Sequence, residues 1–118
     1  MLIAIVPGGA ETRHPVDAAV LAALGPNGIL INVARGSVVN EAALIAALQS
    51  GTILAAGLDV FAHEPHVPDA LVALPNVVAL PHIGSASVKT REAMNALVVD
   101  NLAAWFGCGQ PVSPVNLV

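Results

Sequence analysis

The chain is 118 residues long, enough for one domain and too short for two. Hydrophobic residues make up 56% of it and charged residues only 10%, against about a quarter charged in an ordinary soluble domain, so a chain this apolar exposes surface suited to a partner. The net charge of −4 excludes nucleic acid, because nothing here neutralises a run of phosphates, and no apolar run reaches the roughly 18–20 residues of a membrane-spanning helix.

In chain order, short β-rich runs alternate with helical patterns, the signature of a parallel sheet with crossover helices. Residues 2–6 predict a strand closed by Pro7-Gly8-Gly9. Pro15 is expected in the first turn of a helix, where its missing N–H costs nothing. Val16, Ala19, Val20, Ala23 and Leu24 then recur at helical spacing, and Gly25-Pro26-Asn27-Gly28 ends that helix. Residues 29–33 form the second strand, apolar on both faces except for Asn32.

Asn40 is expected as an N-cap, with Glu41 just inside to suit the helix dipole. The helix continues through 42–48, and Gly51 stands where a left-handed cap is wanted. Residues 53–60 predict a third strand, with Gly57 allowing close packing, and a loop rich in His and Pro leads to a short helix over 69–74. Residues 76–80 are a fourth strand. One long helix is expected over 87–106, with Val88, Arg91, Met94, Leu97, Val98, Leu102 and Trp105 along one stripe.

Strands apolar on both faces belong to a sheet sandwiched between helices. The fold class is therefore α/β and parallel, with right-handed crossovers, and no repeat or long linker divides residues 1–118. The start of the chain lacks the basic flank and length of a signal peptide, and Cys108 is the single cysteine, so a cytoplasmic location is expected. The neighbouring Gly107 and Gly109 suggest a flexible tail.

With so few charges, their positions are informative. Arg35 ends the phrase Asn32-Val-Ala-Arg-Gly36, directly after the second strand. Asp59 lies at the end of the third, and Glu64 follows in Asp59-Val-Phe-Ala-His-Glu-Pro65. His82 comes two residues past the fourth. All four sit at carboxyl ends of strands, the edge where open α/β sheets bind ligands. Parallel neighbours put those ends side by side.

An Arg, a Glu and a His at that edge suit the reduction of a 2-oxo acid. Arg offers a planar fork of donors for a carboxylate. A charged His can hand a proton to the carbonyl oxygen as hydride arrives at carbon, and a nearby Glu would orient that imidazole and favour its charged form. The chemistry calls for no nucleophile and no metal. Each residue alone has a blander reading: Arg35 capping a loop or pairing with Glu41, His82 held by Pro81, Glu64 solvated, Asp59 capping the next turn. Their joint placement favours the chemistry. His63-Glu64-Pro65-His66 looks like a metal ligand pair, but Pro65 spoils helical geometry and no third ligand is obvious, so no metal site is expected.

Four phrases carry a resemblance: Val6-Pro-Gly-Gly-Ala-Glu-Thr12; Ile31-Asn-Val-Ala-Arg-Gly-Ser37 with Val38-Val-Asn-Glu41; Gly57-Leu-Asp-Val-Phe61 with His63-Glu-Pro65; and Leu80-Pro-His-Ile-Gly-Ser85. In this order and spacing the chain resembles the D-isomer-specific 2-hydroxyacid dehydrogenases, and within them the glyoxylate/hydroxypyruvate reductase-like members. The resemblance implies that Arg35 grips the substrate carboxylate, that His82 is the acid/base and that Glu64 is its partner. It implies that Pro7, Thr12, Val33, Ala34, Asp59, Gly84 and Ser85 line the nicotinamide half of a site for NAD or NADP. The long helix and the phrase Pro111-Val-Ser-Pro114 would lead into a substrate domain.

The family's Gly-x-Gly-x-x-Gly loop, which seats the pyrophosphate on a helix N-terminus, does not occur in the sequence. Nor does the residue that chooses between NAD and NADP. Met1 falls where the family's fourth cofactor-domain strand begins, so the expectation is a truncated product, a fragment, or half of a split protein. In the doubly wound order 3-2-1-4-5-6 that strand lies at mid-sheet, and here residues 2–6 would be a naked edge. A homodimer is expected, through these edges or with the long helix covering exposed faces. Two functional readings follow: a dehydrogenase half completed by a second chain, or, for the isolated chain, a chemically inert oligomeric structural or binding module.

Overall fold

The computed structural model describes residues 1–115 and divides into two compact units, Met1–His82 and Ile83–Val118. In the first unit four strands, β1 (Leu2–Ala4), β2 (Ile29–Asn32), β3 (Ala55–Leu58) and β4 (Val77–Ala79), form a wholly parallel sheet in the order β1-β2-β3-β4. The crossovers carry α1 (Ala18–Leu24), α2 (Glu41–Gln49) and α3 (Asp69–Val72). The parallel α/β reading of the sequence holds. The register is flush at the carboxyl ends: Ala4 pairs with Asn32, Asn32 with Leu58 and Leu58 with Ala79.

Strands in sequential order, joined by crossovers of one hand, place every connecting helix on the same face. Leu21 of α1, Leu44 and Leu48 of α2 and Leu71 of α3 accordingly join Leu30, Ala56 and Leu58 in one buried cluster. The expected second helical layer is not found in this unit. Ile3 is 50% exposed and Val78 64%, both pointing away from the cluster. Their runs are apolar on both faces, but the first unit covers only one.

Several boundaries differ from the sequence reading. Pro15 lies outside α1, whose N-cap is Asp17, with Oδ1 accepting from the amides of Ala19 and Val20 at 3.0 Å each. The reason is a parallel bridge between Val16 and Val39 that keeps residue 16 extended, with the Val16 amide donating to the Val38 carbonyl at 3.2 Å. The third strand begins at Ala55 rather than 53, because the backbone of Ile53 and Leu54 is spent on Ala47 and Gly28. β1, β4 and α3 are shorter than expected. Asn40 caps α2 as expected, through the Ala43 amide at 3.0 Å, and Gly51 is left-handed at φ 71°.

The second unit is built on α4 (Val88–Cys108), capped by the Ser87 hydroxyl on the Thr90 amide at 3.2 Å. Cys108 is its last residue, with Sγ against the Ala104 carbonyl at 3.1 Å. The expected flexible tail is therefore helical as far as Cys108, because the stop lies at left-handed Gly109 and not at Gly107. Asn101 holds Ser113 through its amide at 3.0 Å and its hydroxyl at 2.9 Å. Met94, Leu97, Val98, Leu102 and Trp105 on the apolar stripe are exposed. No helix of the described residues is long and apolar enough to cross a membrane.

Leu21 has 0% of its surface exposed, and its truncation leaves a cavity between α1 and the sheet. Leu21→Ala should lower the unfolding free energy by about 2–5 kcal/mol, read from the denaturation midpoint at constant slope. A loss well below that range would show that α1 lies outside the cooperative core.

Candidate active site

Flush strand ends bring four loops to one edge of the first unit. The loop after β2 is shaped by Asn32, which is 1% exposed. Its Oδ1 accepts from the Ala34 amide and its Nδ2 donates to the Arg35 carbonyl, each at 3.1 Å. This side chain folds residues 33–35 over the strand end, a role asparagine fills because one amide carries both donor and acceptor. Arg35 leaves in an extended conformation, and its Nη1 donates to the Ala34 carbonyl at 2.6 Å.

Two glycines make room for this arrangement. A Cβ on Gly36 would overlap the backbone carbonyl of Phe61, and one on Gly8 would lie 2.7 Å from Cγ of Arg35. The loop after β1 thus lies against the arginine stem, and the loop after β3 lies against Gly36, the residue that follows the arginine. Thr12 closes the first of these loops by donating its hydroxyl to the Pro7 carbonyl at 2.7 Å.

Glu64 is held at both oxygens. Oε1 accepts from the Phe61 amide at 2.9 Å, and Oε2 accepts from Nδ1 of His82 at 2.7 Å. An ionised carboxylate only accepts, so Nδ1 is the donating nitrogen and Nε2 is left for a ligand. The hydrogen bond from His82, then the one from the Phe61 amide, hold the Glu64 carboxyl below its ordinary value of 4.5; burial opposes them, and the charges of His82 and Arg35 add smaller lowering effects. His82 has φ of 55°, a left-handed backbone that costs a non-glycine residue about 1–2 kcal/mol and that tends to occur where side-chain direction matters.

Arg35, Glu64 and His82 line one cleft of about 400 Å³ together with Gly8, Gly36 and Ser37. A more apolar hollow of about 470 Å³ shares Phe61, Glu64 and His82 and adds Val67, Val72 and Leu80. Such a cleft offers a planar cation for a carboxylate and a hydrogen-bonded imidazole for proton transfer. Glu41 is engaged elsewhere, with Oε1 accepting from the Ala62 amide at 2.8 Å.

Pro7, Thr12, Val33, Ala34 and Asp59 lie at or just beyond the same strand ends, Val33 exposed and Ala34 and Asp59 buried. Gly84 and Ser85 belong to the second unit, where both are exposed. Sequence reasoning missed Gly8, which lines the cleft, and Asn32, which shapes the loop carrying Arg35. The one signal for Asn32 was a lone polar residue in an apolar strand, three positions before the arginine.

A wholly parallel sheet with helical crossovers, and polar side chains gathered at its carboxyl edge, is the arrangement of Rossmann-type α/β folds. The family model of the NAD binding domain of D-isomer specific 2-hydroxyacid dehydrogenases matches residues 1–84, and the chain belongs to that family. A glyoxylate/hydroxypyruvate reductase A of Arabidopsis thaliana is 50% identical over 115 residues, which are 98% of this chain and 37% of that protein. A glyoxylate/hydroxypyruvate reductase B of Serratia proteamaculans is 60% identical over 95 residues, 80% of this chain and 29% of that protein. The crystal structure of an NADPH-dependent glyoxylate/hydroxypyruvate reductase from Sinorhizobium meliloti, in complex with NADP and malonate, superposes with a TM-score of 0.93 at 64% identity, covering 96% of this chain and 35% of that one. The chain thus spans between 29% and 37% of the length of these relatives.

The Glu64–His82 bond has a measurable consequence. A carboxyl held below 4.5 in the folded state contributes stability that is present above that pH and lost as pH falls through the folded value. Carbon-detected titration should place Glu64 below 4.5, and His82→Ala should move it upward, with the Phe61 amide bond still holding it down. An unmoved titration in His82→Ala would mean that the bond does not persist in solution.

Proposed function

We propose that residues 1–118 form part of the cofactor-binding domain of an NAD(P)-dependent enzyme that reduces 2-oxo acids, such as glyoxylate and hydroxypyruvate, to D-2-hydroxy acids. The observation that carries this reading is the convergence of Arg35, Glu64 and His82 on one cleft at the flush strand ends. The Sinorhizobium relative, crystallised with NADP and the small acid malonate, supports it.

In this reading the Arg35 fork binds the substrate carboxylate and draws charge toward the adjacent carbonyl. His82 donates a proton from Nε2 to the carbonyl oxygen, and Glu64 holds Nδ1 so that the ring keeps its direction. A bound reduced nicotinamide supplies the hydride. The residues present fit that end of a dinucleotide: half-exposed Val33 offers apolar surface beyond β2, and Asp59 places a buried carboxylate at the end of β3. Pro7, Thr12 and Ala34 frame the same edge, and a cofactor contact for Gly84 and Ser85 is proposed from the family resemblance alone. The sequence contains no Gly-x-Gly-x-x-Gly phrase, so these residues supply the reacting end of the site and not a phosphate loop.

A second reading, an oligomeric module without activity of its own, is favoured by one observation. β1 is an edge strand, and Ile3 and Ile5 beside its open ladder are 50% and 74% exposed. An edge of this kind pairs with another strand, and a homodimer through β1 is the form this reading takes.

Calorimetric titration of the chain with NADPH and NADH, alongside sedimentation, separates the two. Dimers without cofactor binding support the module; binding near ~1 μM would show that assembly completes a cofactor site. In a full-length protein carrying these residues, His82→Gln should lower kcat for glyoxylate by about 10²–10⁴-fold, and Arg35→Ala should raise KM for the 2-oxo acid. Unchanged turnover in His82→Gln would refute the proton-transfer assignment.

A further inference from the structure

The proposed chemistry leaves Glu41 without a task, and the helix it begins does not need it either. Asn40 already caps α2 through the Ala43 amide. Yet the Glu41 carboxylate reaches a residue 21 positions away, accepting from the Ala62 amide at 2.8 Å. The preceding amide, that of Phe61, donates to Glu64 at 2.9 Å. Two successive amides of one turn are therefore held by two carboxylates, one from α2 and one from the acid/base pair.

We propose that Glu41 is a positioning residue: by clamping the 61–62 backbone it sets the direction from which Glu64 meets His82. The clamp is two-sided. On one side the Phe61 carbonyl lies so close to Gly36 that no Cβ fits there; on the other, Glu41 takes the next amide. Arg35, one residue before Gly36, is thereby tied to the same turn as Glu64. Ala62 is exposed, so water can replace the Glu41 oxygen, and loss of the clamp frees the turn without leaving a buried group unpaired.

The inference rests on reading Arg35, Glu64 and His82 as the reacting set, but its test does not need turnover. In the 118-residue chain, amide exchange at Phe61 and Ala62 and the carboxyl titration of Glu64 are followed in the parent, E41A and E41Q. E41A should accelerate Ala62 exchange by about tenfold or more and move the Glu64 titration up toward 4.5. E41Q keeps an acceptor oxygen and should restore both. Parental Glu64 titration in folded E41A overturns the proposal even if the unfolding midpoint falls, because that pattern belongs to a merely structural residue. Failure of E41Q to restore either readout overturns it as well. Should E41A not fold, E41D, one methylene short of Ala62, is read in the same way. In a full-length protein E41A should lower kcat with KM little changed. Absence of any reductase activity there would sink the proposed function while leaving the exchange and titration result standing.

Discussion

The arrangement of this molecule depends on the flush parallel register of its sheet. Ala4, Asn32, Leu58 and Ala79 stand abreast, so the chain leaves all four strands at one level. Loops that begin together can meet: the segments carrying Gly8, Arg35, Glu64 and His82 share a cleft although they are spread over 75 positions of sequence. A slip of one strand by a single residue would turn its side chains to the other face and would carry its loop away from the others.

Above the sheet, placement is set by close backbone approach and by polar side chains with nothing else to do. Asn32 spends both ends of its amide on Ala34 and Arg35, the second and third residues after the strand. Gly36 and Gly8 supply absent atoms, one beside a carbonyl and one beside the arginine stem. His82 takes a left-handed backbone and gives its Nδ1 to Glu64. The strain and the hydrogen bond act on the same residue, and the bond offsets part of what the backbone costs.

The same sheet that gathers the site leaves surface uncovered. All three connecting helices of the first unit share a face with the core, while Ile3 and Val78 stand on the other. Strand runs apolar on both faces suit a sheet covered on both sides, and the first unit covers one of them.

Periodicity and punctuation in the sequence were enough for the four strands, the parallel α/β class, the Asn40 cap and the left-handed Gly51, because these depend on local spacing and on single-residue backbone preference. The strand-end positions of Arg35, Glu64 and His82 were legible for the same reason, since each follows an apolar run directly. Local pattern could not show Val16 pairing with Val39, which displaced Pro15 from the helix, nor the open face of the sheet, which follows from strand order. It also could not show Glu41 reaching Ala62, Gly8 yielding to Arg35, or which carboxylate oxygen meets His82. Those are contacts between residues far apart in sequence, and only the folded register brings such partners within hydrogen-bond reach.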